Sequence, residues 1–293
     1  MTLEQIYRIA VKKGIYEDPR GKERMKKIKN PFADSRILYG DKKKDIRTAM
    51  VGIDIGGEEL LTAYLLNEKG AGIDLVIAHH PSGQGLVNLH QVMHVQTDII
   101  ESLGVKRDVA RSLMKERIGE VSRGLMPKNA ERSVDIARLL DIPFMNIHTP
   151  ADNCVARFIK NAAEKRKPKK VRDIMSLLKK IPEYRDGARK GAGPRLIAGK
   201  EKNAPGKIFV DMTGGTEGSK KIFARLSQAG VGTVIAMHLS EQHFKTAKEE
   251  FMNVIIAGHI ASDNVGLNLV LDELEKKEKL NIIPCSGFVR VKR

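Results

Sequence analysis

Gly72-Ile73-Asp74-Leu75-Val76-Ile77-Ala78-His79-His80-Pro81-Ser82 has a counterpart in Gly230-Val231-Gly232-Thr233-Val234-Ile235-Ala236-Met237-His238-Leu239-Ser240. Gly, Val, Ile, Ala, His and Ser match in register between them. Each is a short apolar run bounded by polar residues, the pattern of a strand buried on both faces. The likeness extends upstream. Val51-Gly52-Ile53-Asp54-Ile55-Gly56-Gly57 answers to Ile208-Phe209-Val210-Asp211-Met212-Thr213-Gly214-Gly215, each an apolar run ending in Asp and a Gly pair. Between the members of each pair lies a stretch of helical composition, Glu58 to Lys69 and Glu217 to Gln228. Strand, helix and strand with a crossover of this length form the parallel βαβ unit. The chain is therefore predicted to be α/β, with mixed or parallel sheets flanked by helices and a duplicated repeat.

The remaining elements fit that class. Leu86 to Leu103, Ala130 to Leu140 and Val265 to Lys277 read as helices, Pro143 to Ile147 and Val254 to Ala257 as short strands, and Phe288 to Val291 as a last edge strand. The first repeat is placed over 1–160 and the second over 207–293, packed as one structural unit. Residues 161–206 read as a basic insertion or linker: Pro and Gly punctuate them densely, and Val171 to Ile181 alone has the spacing of a short amphipathic helix.

Composition narrows the function. The 293 residues carry 52 Lys+Arg against 36 Asp+Glu, a formal net charge of +16, with 41% hydrophobic residues. That apolar content excludes a disordered chain. The charge is concentrated: 160–207 hold 16 basic and 5 acidic residues, and 8–47 hold 14 and 6. A near-neutral body thus bears two basic segments, which suit phosphate-bearing partners by long-range attraction or serve as solvated faces. No apolar run approaches the ~20 residues a bilayer requires, and Met1 to Gln5 lacks the basic-then-apolar signature of a signal peptide. Cys154 and Cys285 have no C-x-x-C partner and read as free thiols. A cytoplasmic protein without membrane contact is expected.

Groups of metal-ligand type sit just past apolar strands, where α/β folds gather their functional side chains. His79 and His80 leave the strand in opposing directions, which suits two neighbouring metals better than one. His148-Thr149-Pro150-Ala151-Asp152-Asn153 follows the strand at Pro143 to Ile147; its His and Asp can ligate a metal there, or Asp152 caps the helix beginning near Ala151. Gly258-His259-Ile260-Ala261-Ser262-Asp263 follows Val254 to Ala257. Here His259 and Asp263 either share a helical face, or Asp263 stands in the first turn of a helix beginning at Ser262. His238, Glu241 and His243 hold no complete ligand set and are candidates for proton transfer. His79, His80, Asp152, His259 and Asp263 form a nitrogen and oxygen donor set suited to Zn, Mn, Fe or Co, and five such groups at separate strand exits favour two divalent ions over one. His90 and His94 lack the intervening Glu of H-E-x-x-H, so they do not make a zincin. The Gly pairs depart from phosphate-binding fingerprints and read as tight turns.

These residues resemble the Nif-three-like dinuclear metal centre hexameric proteins, some of which are labelled GTP cyclohydrolase I type 2 homologues. Asp34-Ser35-Arg36 with Leu38-Tyr39-Gly40-Asp41 is similar to that family's W-D-N-x-G-L-x-x-G segment without the Trp. Ile73 to Pro81 resembles its I-I-x-H-H-P strand, His148 to Asp152 its H-T-N-x-D motif, and Gly258 to Asp263 its G-H-x-x-[ST]-E motif. The resemblance implies metal ligands at His79, His80, Asp152, His259 and Asp263, two intertwined α/β repeats, and a homohexamer. Asp263 stands where the family usually has Glu, one methylene longer, and Pro150 and Ala151 replace the usual middle of the second motif.

The function expected is that of a dinuclear metal-binding protein. Its leading form is a metal-dependent hydrolase acting on a nucleotide-like or phosphorylated small molecule, with His238, His243 or His94 passing protons. The alternative is a non-catalytic, metal-stabilised ring whose basic segments bind nucleic acid or a protein partner.

Overall fold

Leu75–Ala78 (β3) and Val231–Ala236 (β7), the paired apolar runs, are inner strands of two separate sheets. The computed structural model describes residues 1–21 and 31–293. The N-terminal basic segment, predicted over 8–47, includes 22–30, which lie outside the described residues. The chain divides into two compact units, one made of Met1–Val92, Val121–Cys154 and Asp263–Arg293 and the other of Met93–Glu120 and Val155–Ser262. It crosses from the first unit to the second and back twice, the interleaved course expected of intertwined repeats.

In the first unit β3 lies between Thr48–Gly52 (β2) and Phe144–Asn146 (β4), parallel to both. Arg36–Tyr39 (β1) closes one edge antiparallel to β4, and Asn281–Pro284 (β9) closes the other parallel to β2, giving the order β1-β4-β3-β2-β9. The second sheet repeats the plan. Arg195–Ala198 (β5), Asn253–Ile256 (β8), β7 and Lys207–Asp211 (β6) follow the order β5-β8-β7-β6, with β5 antiparallel and the inner pairs parallel. Even the irregularity of the edge strand recurs, between Ile37 and Tyr39 in one sheet and between Leu196 and Ala198 in the other. Order, direction and shift together establish the duplication.

Why the central strands are apolar throughout is visible in the first unit. Alternate residues of a strand face opposite sides. Ala49, Val51, Leu75 and Ile77 pack with Leu3, Ile6 and Ala10 of Leu3–Glu17 (α1), and with Leu267, Val270 and Leu271 of the helix His259–Glu275. Met50, Val76, Ala78 and Phe144 pack on the other side, with Leu60 and Ala63 of Gly57–Glu68 (α2) and with Ala137. A strand covered on both faces has no position for a polar side chain until it ends, so the polar groups of β3 begin at His79.

The helices between follow in chain order: Gly83–Val87 (α3), His94–Ser102 (α4), Arg107–Leu125 (α5), Arg132–Leu139 (α6), Thr149–Arg166 (α7), Val171–Leu178 (α8), Pro182–Arg189 (α9), Ile222–Gln228 (α10), Glu241–Glu249 (α11) and His259–Glu275 (α12). No helix among the described residues is long and apolar enough to cross a membrane. Both cysteines are free thiols.

The structure corrects several expectations. The helix predicted over Leu86 to Leu103 is broken into α3, a 3-10 turn at Leu89–Gln91 and α4. Phe288 to Val291 forms no strand, because two asparagines of α12 satisfy its backbone instead. Asn264 accepts from the Val289 N–H at 2.6 Å, and Asn268 accepts from the Val291 N–H at 3.0 Å. The edge strand is β9, whose Ile282 and Ile283 pair with Ala49 and Met50. The helix predicted over Glu217 to Gln228 begins only at Ile222, leaving Glu217 in a turn. Nor is 161–206 all insertion: it contains α8, α9 and β5, and β5 is the second repeat's counterpart of β1.

One contact sets the distance between α7 and α12 in the first unit. A Cβ built on Gly266 would stand 2.5 Å from the Ala151 carbonyl oxygen, so only glycine lets the two helices approach this closely. Replacing Gly266 with valine adds two methyl groups beyond that clash and forces the helices apart. Gly266→Val is expected to destabilise the protein by about 1–3 kcal/mol, the usual range for overpacking, seen as a lowered thermal unfolding midpoint by circular dichroism.

Candidate metal centre

Three histidines and two aspartates of the first unit converge beyond the carboxyl ends of its parallel strands. His79 and His80 follow β3 directly. His148 follows β4, and Asp152 stands in the first turn of α7. Asp263 lies in α12, which begins at His259, so His259 and Asp263 are one turn apart on one helix. That start decides between the two placements open for Asp263. Ligand atoms of His79, His80 and His148 lie within 4.8 Å of one another, as do those of His79, Asp152 and Asp263.

Each imidazole is held by its Nδ1. His79 Nδ1 bonds the Ile147 carbonyl at 2.9 Å, His148 Nδ1 the Asp34 carboxylate at 2.8 Å, and His80 Nδ1 the Asp54 carboxylate at 2.7 Å. Those acceptors place the ring proton on Nδ1 of the neutral rings and turn Nε2 toward the cluster. A histidine oriented by a carbonyl or carboxylate in this way is the usual outer-shell arrangement of a metal ligand. Asp34 is itself fixed, accepting also from the Thr149 hydroxyl at 2.6 Å.

Distances between facing atoms point the same way. His79 Nε2 is 3.4 Å from Asp152 Oδ1 and 3.4 Å from Asp263 Oδ1, and His80 Nε2 is 3.5 Å from Asp263 Oδ2. His148 Nε2 is 3.8 Å from Asp152 Oδ2. These separations exceed the 2.7–3.2 Å typical of N–H···O bonds, roughly, but match the ~3.4 Å edge of a tetrahedron with metal–ligand bonds near 2.1 Å. The cluster could therefore hold a metal ion.

Electrostatics reinforce the point. Asp34 and Asp263 are fully buried and Asp152 nearly so, and carboxylates withdrawn from water require a compensating cation. Burial by itself lowers the affinity of His79 for a proton, but the Asp263 and Asp152 carboxylates override it and hold the imidazole well above its ordinary pKa. The pKa of His148 is raised too, its burial outweighed by Asp152 and Asp34.

The sequence marks His148 as a possible ligand at a strand exit, but the expected ligand set omits it and gives no role to Asp34 or Asp54. A signal existed: Asp34 opens the first motif of the resemblance, and Asp54 ends the apolar run of β2.

The three histidines expected to transfer protons, and His259, lie in the second unit. The His238 ring packs on that of His259 with centroids 4.7 Å apart, and its Nδ1 is 3.5 Å from Glu217 Oε1. Glu217 also accepts from the Ser240 N–H at 2.5 Å. Burial raises the Glu217 pKa, but His238, the Ser240 amide and His243 outweigh it and bring the value to about 2. Asp211, at the end of β6, is pushed the other way by burial and by Glu217, to about 6. His243 is buried with both ring nitrogens engaged, Nδ1 hydrogen-bonded with the Ser240 hydroxyl at 2.7 Å and Nε2 donating to the Gly218 carbonyl at 2.9 Å. His94 begins α4 on the exposed surface.

No protein-family model and no curated protein matches the sequence. Solved structures do. A NIF3 superfamily protein from Sphaerobacter thermophilus is 28% identical, with 97% of this chain and 98% of that one covered at a TM-score of 0.82. Reduced HcgD from Methanocaldococcus jannaschii, at 15% identity, shares the fold over 97% of both chains with a TM-score of 0.56. TTHA1606 from Thermus thermophilus does so over 97% of both chains at 15% identity and a TM-score of 0.53. With the duplicated sheets and the His/Asp cluster described above, the likeness to the first of these over nearly the whole of both chains supports assignment of this chain to the Nif3-like family.

Proposed function

We propose that the chain is a dinuclear metal-dependent hydrolase acting on a nucleotide-like or phosphorylated small molecule. The observation that carries this reading is the posture of Asp263, whose Oδ1 faces His79 while its Oδ2 faces His80. With one oxygen toward each of two imidazoles, Asp263 would be able to serve two ions, one beside each ring. It is one methylene shorter than the Glu usual in the family and still turns one oxygen to each ring. Asp152 addresses His79 with one oxygen and His148 with the other. His259, one turn ahead of Asp263 on α12, completes the ligand set that the resemblance implies.

Divalent ions in a site of this kind lower the pKa of water to near neutrality and polarise the group under attack. The chain supplies the rest. Asp34, Asp54 and the Ile147 carbonyl keep the three imidazoles in the tautomer that offers Nε2. Among the candidate proton carriers we assign the role to His238. It is exposed, and it is paired through Nδ1 with a carboxylate that stays ionised at neutral pH. An exposed imidazole can take a proton from solvent and release it. His243, bonded at both nitrogens, anchors the Glu217 turn. The homohexamer belongs to the same reading and is checked by the mass of the assembly in solution.

Two outcomes are expected. Purified protein loaded with Zn or Mn should bind two ions per chain by elemental analysis, a stoichiometry lost in His79→Ala, Asp263→Asn and His259→Ala. Asp34→Asn, which leaves the ligands in place but weakens the hold on His148, should reduce metal affinity by roughly 10–100-fold. The loaded protein should turn over at least one member of a panel of nucleotides and phosphoesters, and Asp152→Ala should not. Equal rates in wild type and Asp152→Ala, or no turnover with both ions bound, would refute hydrolysis and leave a metal-stabilised protein without catalysis.

A further inference from the structure

The second unit carries a cluster of cations that the metal centre does not use. α7 ends at Arg166, and the chain turns at Lys167 and Pro168 before α8 begins at Val171. Lys165, Arg166, Lys167, Lys169, Lys170 and Arg172 are exposed along this turn. A second segment lies against it. The Val171 N–H donates to the Asn203 carbonyl and the Arg172 N–H to the Glu201 carbonyl, both at 3.0 Å. These bonds bring exposed Lys200 and Lys202 to the same surface. The buried face of α8, with Val171, Ile174, Met175 and Leu178, faces inward and fixes both segments to the unit.

Little nearby offsets this charge. Asp173 spends a carboxylate oxygen on the backbone N–H groups of Lys169 and Lys170, at 3.0 and 2.9 Å. Its pKa is held low by the Lys170 and Lys169 amides and by the charges of Arg172 and Arg166. Glu164 lies 3.9 Å from Lys160, outside the cluster. Glu201 is exposed between Lys200 and Lys202, which still leaves the cations well in excess. Among the described residues none of the eight cationic side chains has an ion pair. Solvated lysines on a helix face ordinarily alternate with acids at helical spacing. Here eight cations are gathered by a turn and a tethered loop.

We infer that this surface binds the phosphate backbone of double-helical nucleic acid. A row of unpaired cations at a turn suits successive phosphates, which bind through charge and release of counterions. Stacking on single strands requires exposed aromatic rings. The cluster has none, and Tyr184 farther along the segment is fully buried, its hydroxyl 3.0 Å from Ser262 Oγ. Insertion into a lipid surface requires exposed apolar side chains, and no exposed large hydrophobic residue lies in 164–172 or 199–203. Asn203, an amide on the tethered loop that could read a base edge, donates instead to Asn253 at 2.8 Å. The contact is therefore with phosphate and independent of sequence. It rests on no part of the metal reading.

The test is fluorescence anisotropy of the full chain with a labelled mixed-sequence DNA duplex across a salt series. The logarithm of the affinity should fall linearly with the logarithm of salt concentration. In a variant carrying Lys167→Gln, Lys169→Gln, Lys170→Gln and Lys202→Gln the slope should drop by about 3.6, at ~0.9 for each phosphate no longer neutralised. A control with Lys106→Gln, Lys115→Gln, Lys245→Gln and Lys248→Gln, exposed lysines elsewhere in the same unit, should bind as wild type. Both variants should melt like wild type, since every substituted side chain is exposed. The inference is overturned if the duplex does not bind, if binding is insensitive to salt, or if the two variants behave alike. It is equally overturned if the single strand of the same sequence binds more tightly than the duplex, or if phosphatidylserine vesicles bind and the duplex does not.

Discussion

The burial of three carboxylates beside three imidazoles governs the chemistry of the first unit. Asp34, Asp152 and Asp263 are withdrawn from water, and like charges in such surroundings are tolerated only with a cation among them. The Asp263 and Asp152 carboxylates raise the proton affinity of His79, and a metal ion would meet the requirement better because its charge is larger and its bonds are directional. The histidine ring orientations, each set by an Nδ1 bond, turn the Nε2 atoms toward one place where such an ion could sit.

Position follows from the sheet. Strands covered on both faces are apolar along their length, so the first polar side chains they present come where they end. β3 delivers His79 and His80, β2 is followed by Asp54, and β4 by His148. The carboxylates arrive from helices, Asp152 from the first turn of α7 and Asp263 from the second turn of α12. Whether they meet the histidines depends on how those helices pack, and Gly266 lets α12 lie close against Ala151 of α7.

The duplication supplied the same strand order twice, yet the two copies diverged at the strand ends. Where β3 leads into two histidines, β7 leads into Met237 and His238. His80 is partnered by Asp54 close after its neighbouring strand, and His238 by Glu217 in a longer turn. The second copy has a carboxylate and histidine pair but no doublet. An equivalent scaffold therefore carries different polar chemistry.

Much of this was legible in the residues themselves. Apolar runs, crossover lengths and the matched stretches around Val76 and Val234 determined the α/β class and the repeat, because strand burial is written in local composition. The histidine doublet and the two Asp-bearing motifs likewise stood out by their place after strands. Only the tertiary structure decided that His148 joins them and that Asp34 and Asp54 orient the rings, since those partners are far apart in the chain and no spacing encodes their contact. It also decided that β9, not the last residues, closes the first sheet, because Asn264 and Asn268 satisfy the backbone of the final segment from a helix. Local sequence specifies which groups are polar and where strands end; which of those groups meet is set by packing across the fold.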